Sequence, residues 1–251
     1  MNFKKYKRFF AFGCSMTEYY WPTWADIIAT EISESYNYGR SGAGNLFIAS
    51  QITEAHHRHN FNETDLVMCM WSGFTREDRY IKNSWSTPGN IYTQNFYDSA
   101  FVNKYADVRG YLLRDMSLIS LTVGFLDNLK LDYHMLNMMS FRLTQSDTLY
   151  NFKENDDILE LFEKSISKIK PDIAAVELNN KWPAREIYHN ADQRVDYHPS
   201  TKQHYQYLQK IFPDVQFSQK TIDFINYYED MINNAKKITD IGWKVQHPAR
   251  L

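Results

Sequence analysis

The sequence predicts an α/β domain built on a parallel sheet. Strand-length apolar runs alternate with stretches of helical periodicity from residue 9 to residue 71. The run "DLVMCMW", residues 65 to 71, is apolar almost without break, as a strand covered on both faces requires. Glycine is scarce, nine in 251 residues, so its clusters after these runs mark turns with a purpose.

Each element has its own signal. Phe9 to Phe12 reads as a short buried strand closed by Gly13. "WPTWADIIATEIS" reads as a helix, with Pro22 in its first turn and Trp24, Ile27, Ile28 and Ile32 on one face. "ESYNYG" is a brief second strand, and "GAGNLFIASQITEAHHR" a helix opened by a glycine loop. Residues 73 to 105 break the rhythm with a polar and aromatic insertion, a length that often forms a lid or binding segment and equally fits a plain surface excursion. The pattern returns with a helix around 107 to 128, a strand around "LDYHMLNM" and a helix over "DDILELFEKSISKI". "PDIAAVEL" fits a short strand or a short helix equally well. "STKQHYQYLQKIF" is a helix with Ser200 as its cap. Ile222, Ile225, Ile232, Ala235 and Ile238 give a last amphipathic helix over 219 to 239. The expected organisation is one domain over 1–251, with an insertion around 73–105 and a C-terminal helical tail around 219–251.

Composition narrows the function. A formal net charge of −2 leaves no global basic footprint for nucleic acid or acidic membranes, and neither is expected as a partner. Two cysteines, Cys14 and Cys69, do not make a disulfide framework and suit a reducing compartment. The basic start "MNFKKYKR" is followed by an apolar run too short for a signal peptide, and no stretch approaches the ~20 apolar residues of a membrane span. A cytoplasmic protein is the expectation.

In doubly wound sheets ligands gather at the carboxyl ends of strands. Gly13-Cys14-Ser15 follows the first strand, "NYGRSGAGN" the second and "WSGFTRED" the third, while "DYHPS" precedes a late helix. A serine, a glycine-rich turn and an Asp-His pair are the parts of acyl transfer: nucleophile, oxyanion donors, base and orienting acid. Two nucleophiles stand side by side. Ser15 needs an external base, whereas Cys14 would be activated by a helix N-terminus.

These blocks resemble those of the SGNH, or GDSL-type, hydrolases. Phe12-Gly13-Cys14-Ser15-Met16-Thr17 is similar to the family's first block, Phe-Gly-Asp-Ser-x-Thr, with Cys14 in place of its Asp. Asn37, Gly39, Ser41 and Gly42 match the second block at full spacing, and Asp196, His198 and Pro199 resemble the last. The version looks closest to phage- and bacterium-type proteins. The resemblance implies a flavodoxin-like three-layer α/β/α sandwich and hydrolysis of an ester or thioester. It assigns Ser15 as nucleophile, His198 as base and Asp196 as its orienting acid. The oxyanion would be held by the backbone N–H groups of Ser15 and Gly42. The third block, usually Gly-x-Asn-Asp, lacks its Asn, and Phe74 stands in that place; Asn45 and Thr75 are the candidate substitutes. Asp196 also stands one residue nearer His198 than in the commonest form.

The expected activity is hydrolysis of a carboxylic ester, with a small acyl group on a carbohydrate or similar polar carrier as the substrate and no metal or organic cofactor. A non-catalytic SGNH-like binding or structural protein, phage-encoded, is the alternative. Thr75, Arg76 and Trp85 are further substrate-binding candidates, with Trp71 either a pocket wall or core. His56, His57 and His59 read as a solvated helix end rather than a metal site, and the run Arg76, Glu77, Asp78, Arg79 as a solvated turn. His204 reads as a packing residue.

Overall fold

A computed structural model describes residues 1–93, 96–142, 156–189 and 195–244. Its centre is a four-stranded parallel sheet of β1 (Arg8–Phe12), β2 (Glu34–Asn37), β3 (Asp65–Trp71) and β6 (Asp132–Asn137), in the order β2-β1-β3-β6. All seven residues of β3 are buried, so "DLVMCMW" reads as it should. At the start of the sheet Arg8 and Asp65, register partners, form a two-pronged ion pair at 2.8 and 2.7 Å that fixes β1 against β3.

Alternation along β1 separates two helical layers. Phe9 meets Trp24 of α1 (Trp24–Ala29) edge-on, whereas Phe10 packs on His59 at the end of α2 (Asn45–His59) and on Phe61. The α1 layer is completed by α7 (Ile173–Val176), α8 (Thr201–Ile211) and α9 (Gln219–Asn234). The α2 layer is completed by α4 (Val108–Leu129), α5 (Asp156–Leu161) and α6 (Glu163–Ile166). The chain leaves β1 toward β2 and leaves β3 toward β6, so the crevice at the carboxyl ends of β1 and β3 is the switch point where such sheets bind ligands.

The remaining elements refine the sequence expectations. Pro22 lies before the first helix and outside its first turn, because Thr23 is the cap: it accepts from Ala25 N–H while Asp26 returns to Thr23 N–H. "PDIAAVEL" forms the short helix α7. Ala235 and Ile238 lie beyond the end of α9, Ile238 in a 3-10 turn over Ile238–Ile241. The insertion is built rather than irregular. It holds a hairpin of β4 (Arg79–Ile81) and β5 (Ser84–Ser86), turned at Lys82 and Asn83 with φ of 50° and 58°, and then α3 (Ser99–Tyr105) capped by Asp98. Residues 94–95 of the insertion and 245–251 of the tail lie outside the described residues.

A second, smaller core gathers Tyr19, Trp21, Ile187, Ile232, Ile238 and Ile241. It joins the segment after Ser15 to the end of the chain. A two-residue ladder of β7 (Arg185–Glu186) and β8 (Val195–Asp196) runs beside it. Among the described residues no helix is long and apolar enough to cross a membrane, and no group of three or more His, Cys, Asp or Glu side chains is placed to hold a metal.

Candidate active site

The turn after β1 carries Ser15. Cys14 O accepts from the N–H groups of Thr17 and Glu18, at 2.9 and 3.1 Å, which winds the chain into a single tight turn. A Cβ on Gly13 would lie 2.0 Å from Thr17 Oγ1, so this turn closes only around glycine. Thr17 O is held in turn by Thr23 Oγ1 at 2.7 Å and Asn37 Nδ2 at 2.8 Å. Cys14 points into the core, fully buried, with Sγ 3.8 Å from Met138 Sδ. Ser15, also buried, faces the loop before α8 instead.

The loop before α8 supplies its partner. His198 Nε2 lies 2.9 Å from Ser15 Oγ. His198 Nδ1 lies 3.3 Å from Asp196 Oδ1, and the same oxygen accepts from the His198 backbone N–H at 2.7 Å. The short spacing therefore works as a turn: the carboxylate folds back onto the backbone and ring of the residue two positions on. With Nδ1–H toward the acid, Nε2 is left to accept the serine proton.

The loop is clamped on all sides. Arg185 Nη1 donates to His198 O at 2.6 Å and Nη2 to Gln203 Oε1 at 2.7 Å. Trp21 Nε1 donates to Pro199 O and Thr201 Oγ1 to Pro22 O, both at 2.8 Å. Ser200 caps α8 and exchanges bonds with Gln203.

Tyr19 and His189 complete the site. The Tyr19 ring stacks on the His198 imidazole, centroids 3.7 Å apart, and its hydroxyl donates to Asp196 Oδ2. His189 Nε2 lies 2.6 Å from the same oxygen. Burial pushes the Asp196 carboxyl up, but the hydrogen bond and charge of His198 and the Tyr19 hydroxyl outweigh it and bring the pKa down to about 2. Burial and the neighbouring Asp196 push the Tyr19 phenol the other way, upward, so it stays a donor. Nothing in the local pattern of the sequence marked Tyr19 or His189. Tyr19 belongs to an aromatic-rich stretch, and His189 lies in an irregular segment with no periodicity.

The glycine loop stands beside Ser15. Arg40 N–H donates to Gly13 O at 3.1 Å. Gly42 has φ of 76°, and a Cβ there would lie 2.1 Å from Thr87 O, so the hairpin seats directly on it. Among the described residues neither the Ser15 nor the Gly42 N–H meets a backbone acceptor.

Asn45 is a correction. Its amide nitrogen donates to Ser72 O at 3.1 Å and Asp115 Oδ2 at 2.7 Å, and its oxygen accepts from Ser72 N–H at 2.8 Å. Fully buried, it ties α2 to β3 and α4 and has no amide hydrogen left for an oxyanion. Phe74 is buried too. Thr75 is half-buried, and its carbonyl accepts from Ile91 N–H at 2.9 Å, pinning the insertion to the end of β3.

The run of charges after β3 is another correction, because it is not a solvated turn. Asp78 is buried and caps α2, accepting from Gly44 N–H at 2.8 Å and Phe47 N–H at 2.9 Å. Arg76 donates to Ala43 O at 2.8 Å and braces the glycine loop. His56 and His59 also depart from a solvated helix end. His56 packs on Phe61 and Phe125, and His59 bonds the Tyr38 hydroxyl at 2.9 Å. Trp71 is core, whereas Trp85 is half-buried and lines an open groove of about 730 Å³. Arg40, Ser41, Thr87 and Phe96 share its walls. Ser15 and His198 are not among the wall residues; the wall residue Arg40 bonds through its N–H to Gly13 O, two residues before Ser15.

No family model matches the chain, and no curated protein matches it. Solved structures do. A member of the lipolytic protein G-D-S-L family from Veillonella parvula is 15% identical over 83% of this chain and 99% of its own, with a TM-score of 0.39. An acetyl xylan esterase from Geobacillus stearothermophilus is 15% identical over 85% and 100%, with a TM-score of 0.41. A GDSL-like lipase from Bacteroides thetaiotaomicron is 12% identical over 88% and 90%, with a TM-score of 0.43. Each is a protein this chain is similar to.

Proposed function

We propose that this protein is a serine ester hydrolase. The observation that carries the reading is the chain of contacts from Ser15 Oγ to His198 Nε2 at 2.9 Å and from His198 Nδ1 to the buried Asp196 carboxylate at 3.3 Å. Ser15 Oγ attacks the acyl carbon while His198 takes its proton. The carbonyl oxygen becomes an oxyanion, held by the N–H groups of Ser15 and Gly42. His198 returns the proton to the leaving alcohol as the ester bond breaks. Water then repeats the sequence on the acyl-enzyme and releases the acid. Asp196 stays ionised throughout and holds the imidazolium.

The groove beside Gly42 suits the alcohol portion of the ester. Trp85 and Phe96 offer flat apolar faces, and Arg40, Ser41 and Thr87 offer polar groups, a mixture that fits a sugar or similar polar carrier bearing a small acyl group.

The test is covalent labelling by a fluorophosphonate, followed by a panel of esters of increasing acyl length and acetylated sugars. Labelling of Ser15 with turnover favouring short acyl chains supports the reading. A non-catalytic binding protein is the second reading, favoured by the Asn45 amide being wholly engaged in the core. Absence of labelling at Ser15 in folded protein would establish it.

A further inference from the structure

We infer that His189 is a positioning residue that holds the Asp196 carboxylate in place for His198; the kinetic consequence rests on the hydrolase reading, the positioning itself on geometry alone. Two imidazoles share one carboxylate. His198 takes Oδ1 and His189 takes Oδ2, the latter at 2.6 Å. Only about 10% of the His189 side chain is exposed, so this contact is not a loose surface pair. The backbone beside it is fixed as well. Tyr188 N–H donates to Lys236 O and Ile238 N–H donates to Tyr188 O, both at 2.9 Å, which ties the segment to the second core.

Among the described residues the groups around the pair are few. From the turn after β1 come Tyr19, on the carboxylate, and Tyr20, whose ring meets His189 edge-on at 5.5 Å. From β7 comes Arg185, whose guanidinium lies on His198 O. α8 contributes the buried His204, and α9 contributes Glu229, whose charge acts on Arg185. Asp196 is the one carboxylate bonded to either imidazole among the described residues.

With His198 on Oδ1 and His189 on Oδ2, the carboxylate is held from both sides. A neutral donor at 189 would keep the hydrogen bond and with it the carboxylate's orientation, whereas a methyl group would keep neither.

The test compares wild type, His189→Gln and His189→Ala in two measurements. The first is kcat and KM on an activated ester. His189→Ala is expected to lower kcat about tenfold with KM little changed, and His189→Gln, which keeps a donor toward Oδ2, to recover most of that loss. Equal losses in the two variants, or a loss confined to KM, overturn the inference. The second is the NMR signal of the His198 Nδ1–H proton, which needs no turnover. That signal is expected to stay in place in His189→Gln and to shift or vanish in His189→Ala. A signal that neither substitution moves overturns the positioning role, even where a variant is too unstable for kinetics. Loss of all ester turnover and probe labelling in wild type would sink the hydrolase reading while leaving the NMR signal to decide the positioning.

Discussion

The Tyr19 ring lies flat against the His198 imidazole, 24° from parallel, while the Tyr19 hydroxyl bonds the carboxylate that His198 also uses. One side chain thus fixes both the plane of the His198 ring and the orientation of the Asp196 carboxylate. Tyr19→Phe keeps the stack and removes the bond; Tyr19→Ala removes both. We expect kcat/KM to fall about tenfold in the first, the loss of one hydrogen bond to a charged group. The second should fall further, by about 10²- to 10³-fold, as the imidazole loses its fixed geometry. Equal losses in the two variants would show that the stack contributes nothing.

Cys14 faces Met138 and Ser15 faces His198, so their substitutions should separate cleanly. Ser15→Ala is expected to abolish labelling and turnover with the melting temperature nearly unchanged. Cys14→Ala removes a buried sulfur beside Met138 and should cost about 1 kcal/mol while keeping most of the activity. Denaturant midpoints and ester kinetics on the two variants read both effects. A dead, stable Cys14→Ala enzyme would transfer the nucleophile to the thiol.

Asn45→Ala leaves the buried Ser72 N–H without its partner and takes one of two from the Asp115 carboxylate, whose other oxygen Arg114 still holds. Stability should drop by about 1 to 3 kcal/mol. Assayed where it is folded, the variant should hold kcat within about threefold of wild type. A drop of about 10²-fold in kcat with an unchanged melting temperature would restore the oxyanion role that the hydrogen bonding denies it.

His204 is buried against the α8 side of the site, and desolvation lowers its pKa to about 3. The unfolded chain binds this proton below its ordinary value of about 6.5, whereas the folded chain refuses it until about pH 3. The contribution is therefore whole above about pH 6.5 and is lost as pH falls toward 3. Asp26, raised to about 7 chiefly by burial, has the opposite slope: its stability is whole below about pH 4 and declines as pH rises to 7. Subtracting the urea midpoints of His204→Gln from those of wild type at pH 7 and pH 4.5 isolates the first effect. The wild type should lose more on acidification than the variant does. Parallel losses would mean that His204 takes up its proton without unfolding.

The sheet was legible because its strands carry their burial in their own residues. β3 is apolar on both faces, and Gly13 stands where β1 must turn. Ser200 was legible as a cap because the chemistry of a cap is local. Asn45 misled for the same reason. Its place after a glycine turn pointed to the pocket, while its partners, Ser72 and Asp115, are 27 and 70 residues away. Asp78 looked like part of a charged surface run because only the folded chain brings the N-terminus of α2 over it. His189 and Tyr19 have meaning only through Asp196, 7 and 177 residues along the chain, and no window of sequence contains all three.

The contact between Ser15 and His198 spans 183 residues. A ribosome making this protein releases the serine long before the histidine exists. Loop closure over that distance is expected late in folding, after the local helices and the hairpin. On the proposed function, reactivity at Ser15 is then a clock on folding: a growing chain would stay inert toward esters until the α8 loop docks. Time-resolved labelling of Ser15 during refolding would report the moment that loop arrives, separately from the recovery of helical signal.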